Sequence, residues 1–471
     1  MRPPLLAIVI ATVLAPALAR AEVGKDCHLP GTEEALHCIR LTVPLDHHAP
    51  GAAINLHVAV APALRESARR DPLFLLAGGP GEAGSDLVPL LNSTFRKIRA
   101  TRDIVLIDQR GTGLSGKLDC KPGKNSETAT EDELLEQTRA CIKGLNKHFN
   151  FYTTEQAARD IESVRSALGY GRINVWGGSY GSRLAQTYAR LFPGSVRAMI
   201  LDGVAAPDQV VPAGAHDAQA ALDALFKQCA DDRVCAAAFP NLRAEFQSLT
   251  MRLTASPASL NLPDPRTAEN SRITMTNMRF VGTVQNILYS QADSRRLPFL
   301  IHSAYQDRWQ PFIARSNIAR DFASEGPAMP LHLAVVCAED FPRLTPQLLE
   351  EDTKGSFLSP AHIMRIGKMC DAMGVPAVPY KEPAMIEAPV LLLSGALDPV
   401  TPPRRAEAAR KYMRNAQHLV VKNAGHIVSP LGCAPRLLRE FLDQPAAPVK
   451  ANCLSEIPAP TFQLNSAGPQ P

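Results

Sequence analysis

"INVWGGSYGSRLAQTYA" occupies residues 173–189 and centres on Gly177-Gly178-Ser179-Tyr180-Gly181. An apolar run ends at the glycines and a helix-spaced run begins beyond Ser179, so the stretch reads as strand, tight turn and helix. G-x-S-x-G alone proves little. In this setting it has a physical purpose: Gly177 and Gly181 leave room where a strained turn brings the backbone close to its neighbours. The helix beyond Ser179 aims amide N–H groups and a positive dipole end at the serine. Ser179 is the candidate nucleophile, and the flanking sequence decides the fold.

Upstream, "PLFLLAGGPGEAGS" (72–85) and "RDIVLIDQRGTGLSG" (102–116) each read as a buried strand ending in a glycine turn. "YTTEQAARDIESVRSALG" (152–169) reads as a helix capped by Thr154, with Ala157, Ile161, Val164 and Leu168 on one face. "VRAMILDG" (196–203) is a further strand. Apolar strands alternating with helices imply a mostly parallel sheet covered on both faces, an α/β architecture. "HCIRLTVPLDH" and "AAINLHVAVAP", nearer the N-terminus, read as an antiparallel pair.

The strand rhythm stops near Val204, gives way to mostly helical pieces, and returns at "APVLLLSGALDPVTPP" (388–403) and "AQHLVVKNAGHIVSP" (416–430). The expected organisation is a leader over 1–21, a core over 22–204, a largely helical cap insertion over 205–387, and the rest of the core with an irregular tail over 388–471.

The leader reading rests on "MRPPLLAIVIATVLAPALARAEV": Arg2, an apolar run from Leu5 to Leu18, then A-x-A cleavage patterns. The rival, a membrane anchor, is disfavoured because the run is short for a span. An export signal implies a periplasmic or secreted protein with no membrane span after its removal. The ten cysteines all lie beyond the leader, and pairing neighbours in order gives 27–38, 120–141, 229–235, 337–370 and 433–453. Disulfides are the expectation, with the connectivity open. No C-x-x-C or H-E-x-x-H spacing points to a metal, and no cofactor is expected. A net charge of +4 without a dense basic run disfavours nucleic acid as a partner.

A serine needs a base, and the base needs an orienting acid. On such a sheet the order is serine, acid, histidine. His426 follows one late strand and Asp398 another; Asp202, at the end of "AMILDG", is the rival acid. The oxyanion of acyl transfer needs backbone donors. Tyr180, next to the nucleophile, and Gly79, with Gly78 beside it, are the candidates. Gly79 to Gly84 also spells G-x-G-x-x-G, a dinucleotide pattern, but Pro80 removes an N–H from the segment that would cradle phosphate.

Taken together, "GGPGEAGS", "DQRGTGLS", "GGSYGS", "GALDPVTP" and "NAGHI" resemble the α/β-hydrolase fold, and more narrowly the exported prolyl and tripeptidyl aminopeptidase group of serine peptidases, the proline iminopeptidase-like family. The resemblance implies Ser179, Asp398 and His426 as a triad and peptides with a free N-terminus as substrates, losing one residue, often proline, or three. Ala77 stands where relatives often carry histidine. A carboxylesterase or lipase-like hydrolase with the same triad is the alternative, and a non-catalytic binding protein the third reading. An aminopeptidase must hold an ammonium group, and "AVVCAEDFP" offers Glu339 and Asp340 for that purpose. Asp108 and Arg110 read as buried polar contacts that hold the loops.

Overall fold

In the computed structural model, residues 24–469 are described, except 50, 66–68, 70, 122–128, 146, 264–267 and 317–325. The expected leader over 1–21 lies outside the described residues. A nine-stranded sheet carries the fold, its strands lying in the order of those that begin at Lys25, Leu36, Ala53, Ile104, Leu73, Ile173, Val196, Val390 and Ala416. Its first three strands, β1 (Lys25–Cys27), β2 (Leu36–Pro44) and β3 (Ala53–Ala61), form an antiparallel margin. The inner strands β4 (Leu73–Leu76), β5 (Ile104–Ile107), β6 (Ile173–Gly178), β7 (Val196–Asp202) and β10 (Val390–Gly395) run parallel, as does β11 (Ala416–Val421) on the outer edge.

The sequence of the inner strands explains their position. Every residue of β4, β5, β6 and β10 is buried, and their continuous Leu/Ile/Val runs suit a sheet with both faces covered. One face packs on α1 (Thr154–Ala167) and α2 (Tyr180–Leu191), the other on α3 (Ala434–Asp443), whose Leu437, Leu438, Phe441 and Leu442 form one apolar stripe. Thr153, not Thr154, caps α1 by accepting from Gln156 N–H. The capping signal was one residue ambiguous because both positions carry threonine.

Between β7 and β10 the chain forms a cap with its own core, built around Leu222, Phe246, Phe280 and Phe312. The cap is mainly helical, as the sequence implies, but also contains an antiparallel hairpin of β8 (Ala258–Pro263) and β9 (Asn270–Met275). In β8 only Ala258, Leu260 and Leu262 alternate as half-buried positions with exposed neighbours. The tail expected to be irregular closes a second small hairpin, β12 (Gln463–Asn465) with β13 (Gly468–Pro469). Phe462 joins the cap core, with the Arg295 guanidinium 4.3 Å from its ring centre.

All ten cysteines are disulfide-bonded, as 27–38, 120–141, 229–235, 337–370 and 433–453. Among the described residues no helix is long and apolar enough to cross a membrane.

Candidate active site

Ser179 joins β6 to α2 with φ 55° and ψ −125°, a conformation that costs a non-glycine residue on the order of 1–3 kcal/mol. The surrounding packing imposes it. Ser179 N–H donates to the Asp202 carbonyl at 2.8 Å, which ties the turn to the end of β7. A Cβ on Gly177 would lie 2.3 Å from the Gly181 carbonyl oxygen, and one on Gly181 2.0 Å from that of Leu76. Glycine is required at both places because backbone passes over backbone. Ser179 is partly exposed while its immediate neighbours are buried.

Asp398 and His426 stand on the loops after β10 and β11. Asp398 Oδ2 lies 2.8 Å from His426 Nδ1, with the carboxylate fully buried and the ring 10% exposed. Oδ1 accepts from the N–H groups of Val400 and Thr401, both at 2.9 Å, and Oδ2 also accepts from Thr401 Oγ1 at 2.8 Å. Burial favours the neutral acid, but His426 and these N–H donors outweigh it, so the carboxyl group sits below the usual aspartate range. Burial pulls the His426 pKa down, while the carboxylates of Asp398, Asp202 and Glu82 push it up and prevail. With Nδ1 facing Asp398, Nε2 is left to accept a proton; among the described residues it makes no protein hydrogen bond.

Asp202, the rival acid, is buried on the other side of the same loop. It accepts from Val428 N–H at 2.8 and 3.0 Å and from Ser429 N–H at 2.6 Å. These bonds hold Ile427 at φ 70°, an unfavourable value for a β-branched residue, immediately after His426. Gly203 follows Asp202, and a Cβ there would approach His426 Cε1 to 3.0 Å. The ends of β6, β7, β10 and β11 thus bring Ser179, His426 and Asp398 to one edge of the sheet. The cap closes over them: Tyr289 stacks edge-on against His426 with ring centres 5.2 Å apart, and its carbonyl accepts from His426 N–H at 2.9 Å.

Gly79 (φ 103°) and Gly81 (φ 115°) shape the turn after β4. Gly78 N–H is engaged by Glu82 Oε2 at 2.9 Å, whereas Gly79 N–H has no acceptor among the described residues. Tyr180 N–H opens α2, where no intrahelical acceptor exists. The turn leads into a short 3-10 helix, Gly84–Leu90, rather than the α-helix that a dinucleotide turn needs.

Asp108 and Arg110 hold loops, as their residue types imply. Asp108 accepts from Ser85 N–H and Leu114 N–H, each at 2.8 Å. Arg110 forks onto Asp160 with two 2.7 Å bonds and donates to the Leu45 and Phe151 carbonyls.

The acidic pair offered for an ammonium group is otherwise engaged, and the expectation is corrected. Glu339 accepts from Thr154 N–H at 2.6 Å and Thr154 Oγ1 at 2.7 Å, satisfying the open start of α1. Thr154 Oγ1 also bonds the Tyr180 hydroxyl at 2.9 Å. Asp340 has no exposure and is paired with Arg183 at 2.9 Å and Arg343 at 2.9 Å. Full burial and two guanidinium partners close Asp340 to a substrate ammonium group. Both residues instead join the cap to the helices behind the serine. Sequence reasoning passed over Glu82, whose signal was an acid inside a glycine turn beside the nucleophile.

The chain is similar to several known proteins. The alpha/beta hydrolase fold family matches residues 71–432. The tripeptidyl aminopeptidase of Streptomyces coelicolor is 29% identical over 278 residues, 53% of this chain and 51% of the relative, so the chain spans about half the length of that protein. Serine protease Hip1 of Mycobacterium tuberculosis is 26% identical over 435 residues, 82% of each chain. Proline iminopeptidase of Neisseria gonorrhoeae is 33% identical over 133 residues, 28% of this chain and 32% of the relative. Among solved structures, a thermophilic esterase from Thermogutta terrifontis superposes with a TM-score of 0.40 and 15% identity over 87% of this chain and 99% of its own. The chain belongs to the alpha/beta hydrolase fold family.

Proposed function

We propose that the protein is an exported serine aminopeptidase that removes N-terminal residues from peptides through an acyl-enzyme on Ser179. The observation that carries this reading is the 2.8 Å contact of His426 with a buried Asp398, on loops at the same sheet edge as a strained Ser179. In this reading His426 Nε2 takes the Ser179 proton as Oγ attacks the scissile carbonyl, and Asp398 fixes the ring tautomer and stabilises the imidazolium. Gly79 N–H and Tyr180 N–H receive the oxyanion. His426 then protonates the leaving amine, and water, deprotonated by the same ring, releases the acid. The peptidase names of three relatives support peptides over esters. Five disulfides support an oxidising compartment, periplasmic or extracellular.

The test is a panel of substrates: a prolyl anilide, a free-amine tripeptidyl anilide, its N-acetylated twin and a short acyl ester. Cleavage of free-amine anilides with loss on acetylation is the expected result. Equal cleavage of the blocked compound, or turnover of the ester alone, moves the protein to the esterase reading.

A further inference from the structure

Glu82 is a carboxylate in the glycine turn after β4, next to Ser179, for which the serine mechanism has no use. Its Oε2 accepts Gly78 N–H at 2.9 Å, and Oε1 makes no protein hydrogen bond among the described residues. A Cβ built on Gly78 would meet Glu82 Oε2 at 2.9 Å and Ser179 Cβ at 3.0 Å, so the carboxylate oxygen and the serine side chain lie within about 6 Å of each other. Glu82 is half-buried, and its charge acts on His426 and on Tyr289, which packs edge-on against the His426 ring. The charged side chains that act on it are His426 and Asp86; no lysine or arginine ion-pairs with it among the described residues.

This arrangement is unfavourable in the empty enzyme. Burial penalises the lone charge, and a fixed anion beside the oxyanion donors opposes the very charge they are placed to receive. A cation brought by the substrate removes both penalties. In a peptide whose first bond is cut, the α-ammonium nitrogen is two bonds from the carbonyl carbon that Ser179 attacks, about 2.5 Å away. That nitrogen falls within reach of Glu82. In a substrate cut after three residues the ammonium lies two residues farther, up to about 7 Å more.

We infer that Glu82 binds the free α-ammonium group of the residue whose carbonyl Ser179 attacks, and that the enzyme therefore releases one residue at a time. The inference rests on the aminopeptidase reading and names its anchor and register. It also makes catalysis conditional on the substrate: a blocked amine leaves Glu82 facing the oxyanion uncompensated.

The experiment compares kcat and KM of the wild type, Glu82→Gln and Glu82→Asp on alanine 4-nitroanilide, its N-acetylated twin and a free-amine trialanyl anilide. Glutamine can still accept from Gly78 N–H, so the turn keeps its bond. The expected result is a fall of at least about 30-fold in the free-amine to acetylated kcat/KM ratio of Glu82→Gln, carried mainly by KM, with partial recovery in Glu82→Asp. A ratio within about threefold of wild type, or equal losses on all three substrates, overturns the inference and leaves an aminopeptidase anchored elsewhere. Preference of the wild type for the trialanyl compound overturns the register. Failure of the wild type to prefer any free amine defeats the parent reading instead.

Discussion

His426 sits between opposing influences: burial disfavours its charge, while Asp398, Asp202 and Glu82 favour it and prevail. A general base works only when neutral, so activity is lost as pH falls through the folded-state pKa of His426. Because that pKa is raised, the acid limb of kcat/KM has its midpoint above the ordinary imidazole value of about 6.5. A pH–rate profile with the midpoint at or below that value contradicts the assignment. The turns that carry Ser179, Asp398 and His426 were legible because each follows an apolar strand and holds a glycine or proline beside that residue. Glu339 and Asp340 were misread because their partners Thr154 and Arg183 lie 185 and 157 positions away, and local sequence carries no trace of such contacts.

The turn between β6 and α2 depends on how closely α2 approaches β4. A methyl group on Gly181 would stand 2.0 Å from the Leu76 carbonyl oxygen, so Gly181→Ala must push the helix, and with it Tyr180 N–H, away from the sheet. We expect a loss of about 1–3 kcal/mol in urea unfolding together with at least about tenfold lower kcat. Gly194→Ala, where a Cβ meets nothing within 4 Å, is the matched control and shifts stability by no more than about 0.5 kcal/mol. Wild-type behaviour of Gly181→Ala contradicts the packing account. The buried strands were legible from their length and apolar runs. The β8–β9 hairpin was not, because only Ala258, Leu260 and Leu262 alternate as half-buried positions on a cap surface that reads as loop among helices.

Across the whole molecule, long-range ties hold cap and core together. Cys337–Cys370 closes a 33-residue separation within the cap segment that carries Asp340, and Asp340 in turn grips Arg183 of α2. Replacing both cysteines with serine should lower unfolding stability by about 3 kcal/mol, read as a lower denaturation midpoint. An unchanged midpoint means the cap helices hold this segment unaided. That the sheet strands stop after β7 and resume at β10 was readable from their apolar runs; the clamp of Asp340 on Arg183 was not, since it forms only once the chain has folded back on itself.

The most direct test of the account is covalent labelling with a fluorophosphonate followed by peptide mapping. A Ser179 nucleophile predicts an adduct in the tryptic segment Ile173–Arg183, localised by fragmentation to Ser179 rather than Ser182. It also predicts that Ser179→Ala abolishes both the adduct and hydrolysis, the latter by at least about 10³-fold. An adduct on another serine, or hydrolysis that survives Ser179→Ala, contradicts it.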